Sequence, residues 1–303
     1  IYSVTLLVPV GIYMALSRIQ IAKPALLHYF DGEPKKLFKP TELAEVLSHQ
    51  RAYWNLAKST GFKDFVKFLS EEGSLEVHDF PFPYRHETRY TWGKIPLLEI
   101  LMSLKAHSYF THLTAMELHQ LASHHGNDIY FNHEQRPQPP GSGLEQGRID
   151  AAFKRKARES NNIVEQEGLR IHLLNSKYTD QLGVTEIFSN FKNEAVRVRV
   201  TNIERTLIDA VVRPTYAGGV PNILSAFREA RGKVDIPLLF TTLQKLNHLY
   251  PYHQAIGYYL EETGYPEPEI ALFRGPAIEF DFYLTYQMKA PRYVERWRLY
   301  VPQ

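Results

Sequence analysis

Val196, Val198 and Val200 alternate with Arg197 and Arg199, a period of two that predicts a half-buried β-strand. The period changes at Thr201. Ile203, Leu207 and Val211 then recur at helical spacing, Thr201 and Glu204 have the T-x-x-E spacing of a capping box, and Pro214 forbids continuation. A second apolar stripe, Phe62, Phe65, Val66 and Leu69, predicts a helix capped by Ser59 or Thr60, with Lys63 and Lys67 on the opposite face and Gly73 at its end. Ahead of it, Pro40 and Thr41 start a helix whose stripe is Leu43, Val46 and Leu47. A polar break at Ser48 to Gln50 follows, and Arg51 to Lys58 reads as a further helix. Leu75 to Tyr90 reads as two strands around a loop from Pro81 to His86. Helices followed by such a hairpin predict a winged helix-turn-helix domain over residues 1–95.

Pro96 marks the expected boundary, and residues 96–303 read as a larger mixed α+β domain. Leu97 to Leu104 and Thr114 to Ser123 are predicted helices, and Gln135 to Gly147, rich in proline and glycine, a long surface loop. Ile163 to Gly168 and Leu169 to Leu174 read as paired strands, and Gly183 to Phe188 as an extended segment. Three helices are expected after the central stretch: one from Pro221 to Gly232, one capped by Asp235 and running through Asn247, and Tyr252 to Glu262, closed by Gly264. Ile278, Phe280, Phe282, Leu284 and Tyr286 alternate with polar positions and predict a strand, with Trp297 to Val301 pairing nearby. At the other end, Val4 to Ile12 is apolar but too short for a membrane span and lacks a signal-peptide cleavage pattern. A helix is expected over Tyr13 to Tyr29, and the true N-terminus is expected to lie upstream of Ile1.

Composition narrows the chemistry. With 303 residues and 44% hydrophobic content the chain can bury a sizeable core, and its length suits two domains. The absence of cysteine removes disulfides, thiolate zinc sites and thiol nucleophiles, and fits a cytoplasmic location. A formal net charge of only +2 means that any nucleic-acid surface has to come from local clustering. Such clusters exist: Lys35 to Lys67 holds seven cations against three carboxylates, and Phe153 to Arg158 reads FKRKAR.

Candidate DNA contacts are therefore Arg51, Asn55, Lys58, Lys63 and Lys67 on the helices, Arg85 and Arg89 on the hairpin, and Lys154, Arg155, Lys156 and Arg158 in the basic cluster. Cations reach phosphates, and a few polar groups, here Arg51 and Asn55, read base edges. His107, His112, His119, His124, His125 and His133 crowd one region but form no compact ligand pair, so no metal or other cofactor is expected. Glu279, Asp281 and Lys289 raise a metal-nuclease alternative, although the two carboxylates are also the outward positions of an amphipathic strand. A further alternative is a protein-binding module without DNA affinity. No G-x-S-x-G elbow or phosphate-binding glycine loop is present, and no catalytic residue is assigned. The simplest reading of Arg205 and Asp209, four apart, is a helix-surface ion pair.

ERTLIDAVVRP from Glu204, the following pair Gly218 and Gly219, and IGYYLEETG at Ile256 to Gly264 resemble the AbiEi family of abortive-infection antitoxins. YFTHLTAMELHQL (Tyr109 to Leu121) and RWRLYVP (Arg296 to Pro302) agree in order, so the resemblance spans roughly two thirds of the chain. It implies a bacterial, cytoplasmic, non-enzymatic regulator of a type IV toxin–antitoxin system in phage defence. Such a protein would bind its own promoter, at inverted repeats, and counteract a nucleotidyltransferase-like toxin. Glu204, Arg205, Asp209, Gly218 and Gly219 would be its antitoxin-domain motif.

Overall fold

The computed structural model describes residues 16–122, 126–138 and 143–303. The chain divides into two units, one ending at Asp79 and taking in Thr88–Ile95, the other made of Phe80–Glu87 and Pro96–Gln303. The protein is mixed α+β, and among the described residues no helix is long and apolar enough to cross a membrane.

The first unit follows from its apolar stripes. Its elements are α1 (Arg18–Ile21), α2 (Lys23–Gly32), β1 (Leu37–Phe38), α3 (Pro40–Gln50), α4 (Phe62–Glu72), β2 (Leu75–Phe82) and β3 (Arg85–Trp92), with strand order β1-β3-β2. The outer residues of β2 and β3 count with the second unit. Leu26 and Phe30 of α2, Leu43 and Leu47 of α3, and Phe65 and Leu69 of α4 bury their side chains together with Trp54 and Trp92. Phe30 stacks on Trp92 with ring centroids 4.9 Å apart. Lys63 and Lys67 stay exposed on the other face of α4, as the stripe requires.

Four expectations are corrected here. Arg51 to Lys58 is a series of turns, not a helix: Asn55 takes a left-handed conformation, and the Arg51 guanidinium donates to the carbonyls of Ala57 (2.6 Å) and Thr60 (2.9 Å). The cap of α4 is Gly61, whose N–H bonds the Asp64 carboxylate, so neither Ser59 nor Thr60 caps it. The loop of the hairpin is only Pro83–Tyr84; Pro81, Arg85 and His86 belong to the strands. The described part of the Tyr13 to Tyr29 helix is two helices meeting at Ala22, while residues 13–15, like Val4 to Ile12, lie outside the described residues.

The second unit continues with α5 (Leu97–Met102), β4 (Tyr109–Phe110), α6 (His112–Leu118), β5 (Asp128–Glu134), α7 (Gln146–Lys154), β6 (Ile163–Gln166), β7 (Leu169–Ser176), β8 (Val184–Phe191) and β9 (Glu194–Thr201). Six strands form one sheet in the order β6-β7-β5-β4-β9-β8. The two-residue β4 sits at its centre, antiparallel to β5 with Tyr109 opposite Asn132, and parallel to β9 with Phe110 opposite Val200. Val196, Val198 and Val200 are buried as their alternation predicts.

Helices α8 (Ile203–Val212), α9 (Val220–Glu229), α10 (Ile236–Leu246), α11 (Tyr252–Glu262) and α12 (Glu267–Arg274) follow, then a small sheet of β10 (Phe282–Tyr283), β12 (Leu299–Val301) and β11 (Arg292–Val294). The cap of α8 is Asn202, which accepts the Arg205 N–H at 2.9 Å; Thr201 is still strand, and its hydroxyl bonds that of Thr206. The predicted capping box is thus replaced. Glu204 instead accepts the Asp235 N–H at the start of α10. Helix α12 was not foreseen, and the strand predicted over Ile278 to Tyr286 shrinks to β10. The helix predicted over Thr114 to Ser123 is α6, shifted towards the N-terminus, and Ser123 lies outside the described residues.

Two of the distinctive motifs lock together. A Cβ added to Gly257 of α11 would stand 2.2 Å from the Trp297 ring, so only glycine lets that fully buried indole lie against the helix. Trp297 Nε1 donates to Glu261 at 2.5 Å, and Gln254 Nε2 donates to the Trp297 carbonyl at 2.6 Å. Alanine is intrinsically better than glycine in a helix by about 1 kcal/mol. Here the overlap prevails, and Gly257→Ala is expected to lower stability by roughly 2 kcal/mol net. Urea unfolding of the full chain checks it; a variant as stable as the parent would show that Trp297 is not held against Gly257.

Candidate functional site

A cavity of about 550 Å³ lies within the second unit. Its wall is built where strands hand over to helices. β4 contributes Tyr109, ends in Phe110 and passes through Thr111 into α6, whose first residue, His112, is buried at a positive φ of 53°. β9 passes through Asn202 into α8, which contributes Arg205 and Asp209, and the 3₁₀ turn Pro214–Ala217 adds Tyr216. Arg205 and Asp209, four apart on α8, share one helical face, while Arg213 follows at the non-helical end of α8 and Tyr216 in the 3₁₀ turn, and all four line the cavity. Asn132 of β5, opposite Tyr109, lines it from the neighbouring strand.

Arg205 and Asp209 are not on the surface. Their side chains are only 5% and 9% exposed, with Arg205 Nε donating to Asp209 Oδ1 at 2.7 Å. Thr111 donates to the other carboxylate oxygen at 2.9 Å, and Arg205 Nη1 donates to the Leu182 carbonyl at 2.8 Å. Burial alone opposes both charges. For each group it is outweighed by the partner's charge and hydrogen bond, which hold Asp209 below and Arg205 above their ordinary values. Gly183, at φ +75°, lies so close that an added Cβ would meet Arg205 Cβ at 2.8 Å.

The imidazoles and the phenol nearest the pair, His112, His248 and Tyr109, are held neutral. Burial pulls His112 down to about 4, only partly opposed by Asp209, and pulls His248 down to about 4 as well. Burial pushes the Tyr109 phenol up, and its hydroxyl donates to Glu134 at 3.1 Å. His112 Nδ1 and Asn132 Oδ1 are buried with no hydrogen-bond partner.

The remaining motif residues shape the backbone. Gly218 (φ 78°) and Gly219 (φ 85°) take conformations that favour glycine, and a Cβ on Gly218 would meet Asn222 at 2.8 Å. Neither lines the cavity. His119 is also structural, its Nε2 donating to the Thr201 carbonyl at 2.6 Å. His124 and His125 lie outside the described residues, and among the described residues no cluster of three His, Asp or Glu side chains stands ready for a metal. Asp281 is occupied by Arg298 Nε and the Tyr293 hydroxyl, both at 2.8 Å, while Glu279 is exposed.

The predicted DNA contacts scatter. Asn55, Lys58, Lys63 and Lys67 are exposed in the first unit. Arg51 is spent on the two carbonyls of its own turn, and Arg89 is a correction: it is only 3% exposed, and its guanidinium donates to the Thr88 carbonyl at 2.7 Å. Arg85 pairs with the buried Glu87 at 3.1 Å. Lys154, Arg155, Lys156 and Arg158 are exposed in the second unit, and Arg158 lines the cavity. Sequence reasoning overlooked Tyr109, Asn132, Lys177, Arg213, Tyr216 and His248 as lining groups.

No protein-family model matches the sequence, and no curated protein does. Among solved structures, the chain is similar to the crystal structure of RV2827C protein from Mycobacterium tuberculosis, with a TM-score of 0.59 and 11% sequence identity over 93% of this chain and 91% of that one. At that identity the likeness is one of fold.

Two outcomes follow from the buried pair and its neighbours. Arg205→Met, which strands a buried carboxylate, is expected to cost about 3–5 kcal/mol, while Arg205→Met with Asp209→Leu recovers much of that. A double-mutant cycle by urea unfolding measures it, and additive losses would show that the two groups do not act as a pair. The second outcome concerns pH. An unfolded His112 gains a proton near pH 6.5 whereas the folded one waits until about 4, so stability falls as pH drops through that window. The loss approaches about 1.4 kcal/mol per pH unit for this group. His112→Asn, which tolerates the positive φ, should flatten that slope by close to one proton. An unchanged slope would place the titration elsewhere.

Proposed function

We propose that the protein is a DNA-binding transcriptional regulator that represses its own promoter and serves as the antitoxin of an abortive-infection operon. The observation that carries the reading is the build of the first unit. Helix, strand, two helices and two strands follow in the order α2, β1, α3, α4, β2, β3, with sheet order β1-β3-β2. That order suits a winged helix-turn-helix, in which α4 would serve as the recognition helix. Phe65 and Leu69 fix α4 to its core, which leaves Lys63 and Lys67 facing solvent where phosphates would lie. Lys67 is 73% exposed and only loosely paired with Glu71, at 3.8 Å. The hairpin adds less than a free wing would, because its tip residue Tyr84 donates to Asn161 at 2.6 Å.

The antitoxin role rests on the resemblance carried by Glu204, Arg205, Asp209, Gly218 and Gly219, with a nucleotidyltransferase-like toxin as the partner. Burial of Arg205 and Asp209 favours support of the domain's shape over acid–base chemistry. Exposed cations on α4 and an ordered turn at Asn55 favour DNA over a purely protein-binding role for the first unit.

The test is a salt series. Binding of the full chain to its promoter fragment should weaken with salt, and each lost phosphate contact should lower the slope of log K against log salt by about 0.9. Lys63→Ala with Lys67→Ala should therefore reduce both affinity and slope on every sequence, whereas Asn55→Ala should mainly relax sequence preference. A folded double variant with the parent's affinity and slope would remove α4 from the interface. Co-expression with a nucleotidyltransferase-like toxin sought in the neighbouring reading frames, scored by growth, tests the antitoxin half: the absence of such a frame, or full toxicity in the presence of the intact chain, would overturn it.

A further inference from the structure

The cavity of the second unit has a composition that a purely structural void lacks. Its volume of about 550 Å³ falls within the range typical of small-molecule sites, about 300–1,000 Å³. It is lined by four cationic side chains, Arg158, Lys177, Arg205 and Arg213, against two carboxylates, Asp209 and Glu159. Two of the cations are already committed: Arg205 to Asp209, and Lys177 to the carbonyls of Leu246 and Asn247. Arg158 and Arg213 are not. Both are exposed, and among the described residues neither guanidinium makes a hydrogen bond or ion pair. A planar guanidinium presents paired donors that match phosphate oxygens.

The buried side of the cavity is different in kind. Tyr109, His112 and Tyr216 are buried there, the His112 ring standing 5.3 Å from Tyr216 at 87°. Three lining residues, Asn132, His112 and His248, carry a buried polar atom without a partner. Asn132 is 2% exposed, its Nδ2 donates to Ser176 at 2.8 Å, and its Oδ1 accepts nothing. His112 is 8% exposed and its Nδ1 is likewise unpaired, on a residue held in a left-handed backbone conformation. Proteins pair nearly all buried polar groups, and strained backbone persists at sites where it is used. A neutral imidazole and an amide oxygen do not select an anion. They select the N–H and ring-nitrogen edge of an uncharged heterocycle.

We propose that this cavity is a nucleotide-binding site, with the base held among Tyr109, His112, Asn132 and Tyr216 and the phosphate held by Arg158 and Arg213. Asn132 Oδ1 accepts an exocyclic amine of the base, and Asn132 Nδ2 stays on Ser176. Arg205 and Asp209 position the floor of the site and keep their own pairing. The ligand is a free mononucleotide, whose base meets the unpaired atoms of Asn132 and His112 and whose phosphate meets the two unpaired guanidinium groups. The site is independent of DNA binding by α4.

Isothermal titration of the full chain with AMP, GMP, CMP and UMP tests this, with the matching nucleosides, ribose 5-phosphate and inorganic phosphate as probes of each half. At least one mononucleotide should bind with Kd below about 1 mM, and its nucleoside and inorganic phosphate about tenfold or more weakly. Arg158→Ala with Arg213→Ala changes only exposed side chains, so it should keep the parent's thermal midpoint without ligand and lose about tenfold or more in affinity. Asn132→Asp should alter the preference among the four bases. Lys63→Ala with Lys67→Ala should bind the nucleotide unchanged, which separates this site from any attraction of nucleotides to the DNA face. No binding of any mononucleotide at about 10 mM would overturn the proposal. So would inorganic phosphate binding as tightly as the nucleotide, or an arginine double variant with unchanged affinity. Binding that requires an oligonucleotide and fails with all four mononucleotides would also overturn it.

Discussion

The ion pair between Arg205 and Asp209 is the constraint on which the second unit depends. Three segments distant in sequence meet at it: α8 supplies both charges, Thr111 donates from the junction of β4 and α6, and Leu182 lends its carbonyl from the loop before β8. Removing two charges from water is unfavourable, and their mutual attraction repays it only when the remaining donors and acceptors are also satisfied. Here both carboxylate oxygens and two of the guanidinium nitrogens have partners. The pair therefore fixes the position of β4, α6 and α8 relative to one another, and the cavity is the space those three elements leave. Gly183 belongs to the same arrangement, since a side chain there would push Arg205 aside.

Periodicity made much of the fold legible, and it failed where side chains rather than periods decide. The alternation at Val196 to Val200 and the stripe at Phe65 and Leu69 appear in the structure because each element buries one face only. The stretch from Arg51 to Lys58 has good helix formers, yet an arginine reaching forward to two carbonyls and a left-handed asparagine make it a set of turns. Helix α8 misled in another way. Ile203, Leu207 and Val211 account for one apolar face, so its polar positions read as solvent-facing, whereas every residue from Glu204 to Val211 is buried. No period in the sequence distinguishes a helix with one buried face from a helix enclosed on all sides once polar groups find partners inside.

The motifs that carry the family resemblance separate by role. Gly218 and Gly219 supply backbone conformations, Gly257 and Trp297 a close approach, and Glu204 a cap for the start of α10. Each is explained by shape alone. YFTH and ERTLID, by contrast, bring Tyr109, Thr111, His112, Arg205 and Asp209 to one cavity, where the lining residues Asn132, His112 and His248 each carry a buried polar atom without a partner.

A count of cations also overstates the charge available to a nucleic acid. In the first unit Arg51 has spent its donors on its own turn and Arg89 is buried, so the excess visible in the sequence is carried mostly by lysines such as Lys63 and Lys67. A lysine ammonium is a strongly hydrated point charge on a flexible stem, which suits phosphate contact more than base reading. The exposed charge of the first unit is therefore of the kind that meets phosphates, and Asn55 is exposed in the left-handed turn that precedes α4. In the second unit Lys154, Arg155 and Lys156 are exposed as well, and the guanidinium groups of Arg158 and Arg213 at the cavity are the ones proposed to hold a phosphate.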